Sequence, residues 1–76
     1  MNLKTFSELQ QTQKIETIKL HRSPDNLNHW FPMIHCNDGT VHLLIDKEEN
    51  EISKESIEEL VAKLKRLGAK KAEVIF

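Results

Sequence analysis

Cysteine, proline and glycine are scarce in this chain, and neither a long apolar run nor an excess of one charge makes up for them. Cys36 is the single cysteine among 76 residues. One thiol cannot close an internal disulfide and is the wrong count for a zinc site built on paired cysteines. A reducing compartment, the cytoplasm, is the expected location. Met1 to Gln13 holds no apolar run of signal-peptide length, and no segment approaches the roughly 18 apolar residues that span a bilayer. No membrane association is expected. Eleven Lys and Arg against twelve Asp and Glu leave a formal net charge of -1, so the general attraction of phosphate backbones for basic proteins is missing. Nucleic acid is not the expected partner.

What is present suits one small domain over residues 1 to 76. A chain of this length buries only about 60% of the surface its unfolded form exposes, and a stability on the order of 5 kcal/mol follows. It has room for one sheet and one or two helices, but hardly for a deep, water-excluding pocket. The expectation is therefore a non-enzymatic protein, with no cofactor and no small-molecule substrate inferred.

Near the start, Thr5-Phe6-Ser7-Glu8 has the form of a capping box, which satisfies free amides at a helix start. A short helix over 6 to 13 would depend on docking Phe6 and Leu9, its only apolar side chains. Lys14 to Arg22 alternates Ile18 and Leu20 with Lys19 and His21, the pattern of a half-buried strand. Ser23-Pro24-Asp25-Asn26 then supplies turn chemistry. His29 to Asn37 and Thr40 to Asp46 form the second and third strands, joined through Asp38-Gly39. Pro32 lacks a ladder donor, which places the second strand at an edge or makes it irregular there.

After an acidic connection, Ile52 and Ile57 bracket Ser53 as a hydrophobic staple around an N-cap. Ile57, Leu60, Val61, Leu64 and Leu67 then share one helical face until Gly68 ends the helix. Lys70 to Phe76 closes the chain as a fourth strand whose edge could pair with another chain. The helix between strands three and four is a crossover, which makes those strands parallel. The expected fold is α+β: a small four-stranded mixed sheet, in the order β-β-β-α-β after the short N-terminal helix, with one long amphipathic helix on one face.

Two registers suit the hairpin. With Asp38-Gly39 as a two-residue turn, His35 faces His42 and Ile34 faces Leu43. One face then groups Trp30, Pro32, Ile34, Cys36, Val41, Leu43 and Ile45, and the other groups Phe31, Met33, His35, His42 and Leu44. With Asn37-Asp38 as a type I turn and Gly39 as a bulge, His35 faces Val41 and the third strand is turned over. The first is preferred because it keeps both histidines off the core. In either register the second strand is apolar on both sides. One helix covers only one face, so the N-terminal segment, a second copy or a partner must cover the other.

The chemical candidates are weak beside this surface. His35 and His42, paired across the hairpin with His21 as a third ligand, could hold zinc or copper or respond to pH. Strand histidines are more often ordinary half-exposed residues, and no metal ligand is assigned. His35 cannot serve Cys36 as a base, since adjacent strand residues point to opposite faces; a buried structural thiol is expected. The acidic loop is no calcium site, because Glu51 stands where glycine is needed and Ile57 where the last glutamate belongs. Lys63, Lys65, Arg66, Lys70 and Lys71 complement the helix dipole, and nucleic-acid binding by this basic end is the weakest alternative. The function expected is protein interaction, as an adaptor, regulator or inhibitor, or self-association as a homodimer. The surface expected to carry it is Phe31, Met33, His35, His42 and Leu44, or an open strand edge.

Overall fold

The computed structural model describes residues 1–24 and 28–75. In chain order its elements are α1 (Leu3–Gln11), β1 (Ile15–Arg22), β2 (Trp30–Cys36), β3 (Val41–Leu43), α2 (Ile57–Arg66) and β4 (Glu73–Val74). Half of the turn expected at Ser23-Pro24-Asp25-Asn26, residues Asp25 and Asn26, falls outside the described residues, as does Phe76.

Both helices start at a different cap from the one expected. Asn2, not Thr5, opens α1 by accepting the Thr5 backbone N–H at 2.8 Å. Ser56, not Ser53, opens α2 by accepting the Glu59 N–H. The cause in the second case is long-range. Lys54 exchanges backbone hydrogen bonds with Trp30 at 2.7 and 3.0 Å, so the chain is still extended at Ser53 and cannot turn helical until it leaves that bridge. At the far end, Gly68 takes φ 102°, while its N–H donates to Lys65 O and the Ala69 N–H donates to Leu64 O. This pair of bonds is the Schellman closure that glycine favours.

The four strands lie in the order β3-β2-β1-β4, with β1 and β2 antiparallel, β2 and β3 antiparallel, and β1 and β4 parallel. Strands β3 and β4 therefore run in the same direction, as expected for a crossover, but two strands separate them. Pro32 sits in the interior strand β2, opposite Leu20, where its missing donor is harmless. The Cys36 N–H donates toward the third-strand side, to Thr40 O, and the Trp30 N–H donates to Lys54 O on that same side. By alternation the Pro32 nitrogen faces the gap between Leu43, where β3 ends, and the Lys54 bridge. Strand β2 is thus neither at an edge nor irregular at Pro32, where its pairing with β1 is unbroken; it is β3 that stops short of the proline.

The third strand is shorter than expected because the chain folds back at Asp46. Asp46 Oδ1 accepts the backbone N–H groups of Glu48 and Asn50, at 2.8 and 3.1 Å. The Ile52 N–H then donates to Leu44 O.

The hairpin takes the less favoured register. His35 pairs with Val41, Ile34 with His42 and Met33 with Leu43. Gly39, at φ 89°, forms the bulge after an Asn37-Asp38 turn. The reason is visible in the core: this register sends Leu44 inward, where it is 1% exposed. The preferred register would have left that side chain on the opposite face.

One apolar cluster joins Phe6 of α1, Ile18 and Leu20 of β1, Ile34 and Cys36 of β2, Leu44, Ile52, and Leu60 and Leu64 of α2. The helices also touch directly, through the Ser7 hydroxyl donating to Leu67 O and Gln10 Nε2 donating to Gly68 O. The short N-terminal helix and the amphipathic helix, of nine and ten residues, share the same side of the sheet, the second being shorter than expected. The N-terminal segment therefore does not cover the second face.

Candidate functional site

Successive side chains of a strand point to opposite faces, so burying Pro32, Ile34 and Cys36 under the helices turns Phe31, Met33 and His35 outward. Strand pairing extends them into rows. Glu73, Lys19, Met33 and Leu43 lie side by side across all four strands, Thr17, His35 and Val41 make a second row, and His21 and Phe31 a third. The His21 and Phe31 rings are stacked, with centroids 5.7 Å apart and planes 24° apart. Val41 is 44% exposed, and Phe31, Met33 and Leu43 are half-buried. No described element packs over this face.

Of the five residues expected to form the binding surface, Phe31, Met33 and His35 are together on the helix-free face. His42 and Leu44 are not: the bulge turns His42 to the helix side, opposite Ile34, and Leu44 is in the core. Val41 and Leu43 take their places, with Lys19, His21 and Thr17 from β1. The signal that could have found them is Asp38 followed two residues later by Thr40. The Asp38 carboxylate accepts the Thr40 N–H at 2.9 Å, the side-chain turn that aspartate favours.

The histidine cluster does not assemble. His35 and His42 point to opposite faces, and His21 faces Phe31 while His35 faces Thr17, several residues away along the strand. Among the described residues no group of three or more His, Cys, Asp or Glu side chains is placed to hold a metal ion.

The hairpin instead borders a cavity of about 620 Å3 lined by Leu9, Lys14, Cys36, Asp38, Thr40 and His42, among others. There the Thr40 hydroxyl donates to Asp38 Oδ1 at 2.6 Å, and His42 Nε2 lies 3.0 Å from Thr40 Oγ1. The hydroxyl and N–H of Thr40, with a smaller contribution from nearby His42, hold the Asp38 carboxyl below the usual aspartate range. A hydroxyl has one proton. With that proton donated in a hydrogen bond to the ionised Asp38 carboxylate, Nε2 of His42 can approach Thr40 Oγ1 only as the donor. This is the reverse of the direction in which a base activates a nucleophile. Cys36 is a buried free thiol, 6% exposed.

The basic stretch lies where α2 ends. Lys65 and Arg66 are in its last turn, and Lys70 and Lys71 follow in the connection to β4, all four exposed. No helix among the described residues is long and apolar enough to cross a membrane. No protein family, curated protein or solved structure compared with the chain matches it.

Proposed function

We propose that this chain is a non-enzymatic protein-interaction module and that the partner seated on its helix-free sheet face is a second copy of itself. The observation that carries this reading is the placement of both helices on one side of the sheet, which leaves the Phe31, Met33, Val41 and Leu43 side chains without a covering layer. Apolar patches on small proteins mark interaction sites. Two features favour a second copy. The net charge of -1 gives little repulsion between copies. The face also carries Lys19 beside Glu73 in register, so a two-fold arrangement can set the cation of one copy against the anion of the other. A regulator, adaptor or inhibitor built on this scaffold would act by offering the same face to its target.

The test is Met33→Glu, which sets a carboxylate in the centre of the patch. Met33 is half-exposed, so the change shifts monomer stability by under about 1 kcal/mol. The expected outcome is an unchanged circular dichroism spectrum with loss of self-association. Self-association equal to that of the wild type would count against this face.

A further inference from the structure

We propose that the groove beside the free edge of β1 binds an acidic peptide in extended conformation, added to the sheet in line with β4. The site is independent of the helix-free face. On the β4 side, β1 is paired only at Lys19 and Leu20, where Leu20 O accepts the Ile75 N–H at 2.9 Å. Ile18 carries its main-chain groups to that same edge, yet no residue before Glu73 pairs with it. Ile15 to Ile18 are thus the unpaired start of β1 on this side, about 13 Å of strand, with a register shift in its pairing to β2 between Ile15 and Thr17. A cavity of about 300 Å3 occupies the place where β4 would continue, bounded by Gln10, Gln13, Thr17, Ile18, Lys70 and Lys71.

The charge around this groove selects an acidic occupant. Lys70 and Lys71 stand on its outer wall, and Arg66 shares an adjoining groove with Lys70 and Gln10. Among the described residues the only ion pair joins His29 to Glu55, so none of these cations is in an ion pair with a described carboxylate. Glu16 is the one acid on the wall. A peptide is favoured over a nucleic acid because a strand edge offers N–H and C=O groups at the spacing of another main chain. No aromatic ring lines the groove to stack on a base.

The experiment is an NMR titration of the full chain, labelled with 15N, with a capped octapeptide alternating threonine and glutamate, at about 50 mM salt where exposed charges are weakly screened. Amide shifts are expected at Gln13, Ile15 to Ile18 and Lys70 to Ala72. Binding should fall by about tenfold in the Lys70→Glu, Lys71→Glu double variant, whose exposed substitutions leave the rest of the spectrum in place. It should fall similarly for a peptide methylated at alternate backbone nitrogens, which keeps the charge and removes ladder donors. Met33→Glu should bind the peptide as the wild type does, which separates this site from the helix-free face. Equal binding of the methylated peptide, tighter binding of a thymidine octanucleotide or of a capped octapeptide alternating threonine and lysine, or no shift up to saturating peptide would overturn the proposal.

Discussion

Gln13 ends α1 in the left-handed conformation, at φ 57°. Its N–H donates to Gln10 O and the Lys14 N–H donates to Leu9 O, the same pair of bonds that Gly68 and Ala69 make after α2. Glycine occupies this position in one helix and glutamine in the other, and a side chain there is strained. Gln13→Gly should therefore raise stability by about 0.5–1 kcal/mol, whereas Gly68→Ala should lower it by about 1 kcal/mol; urea midpoints of the two variants check both signs. Asp38 gives a pH-dependent counterpart. Its carboxyl is held below the ordinary value by Thr40, so its stabilising contribution is complete above the pKa of the unfolded chain and is lost as pH falls through the depressed folded value. That window lies on the acid side of about pH 4. The urea midpoint should fall less steeply in Asp38→Asn than in the wild type when pH is lowered through that window, because the variant has no carboxylate to protonate.

Among the elements, α2 is the one whose packing face can be read directly from spacing: Leu60 and Leu64, one turn apart, are both buried. Its start cannot be read that way. Ser53 and Ser56 offer the same capping chemistry, and the choice between them is made by Lys54 pairing with Trp30, 24 residues earlier in the chain. Ser56→Ala should cost about 1 kcal/mol, and Ser53→Ala, whose hydroxyl lies 3.4 Å from the His29 ring nitrogen and caps no helix, should stay within about 0.5 kcal/mol. The third strand shows the same limit. Asn37-Asp38-Gly39 supports two turns, both apolar patterns are self-consistent, and the burial of Leu44 decides between them. For this reason Phe31, Met33 and His35 were legible as one surface, while Val41 and Leu43 were exchanged for His42 and Leu44. The first helix was legible as a helix from Phe6 and Leu9, but not the face it covers. Phe6 is fully buried in the common core. Phe6→Ala should cost about 3–5 kcal/mol, enough to unfold most of a domain whose total is on the order of 5 kcal/mol, with loss of the far-ultraviolet helical signal as the readout.

At the scale of the whole molecule, the decisive feature is the one-sided placement of the helices. A sheet in the order β3-β2-β1-β4 with both helices on one face builds a core from Ile18, Leu20, Ile34 and Cys36. The same pleat necessarily presents Lys19, Met33 and Leu43 on the other side. A two-layer domain of this size is stable when that second face is polar or covered. Here its centre is apolar, and the proposed cover is another copy of the same face. The most direct test is sedimentation equilibrium of the wild type and of Met33→Glu over a wide range of concentrations. The expected result is a wild-type mass that rises from 8.9 kDa toward that of a dimer while Met33→Glu stays monomeric and folded. A wild-type mass that stays at the monomer value throughout, or a Met33→Glu mass that rises with it, would contradict the proposed interface.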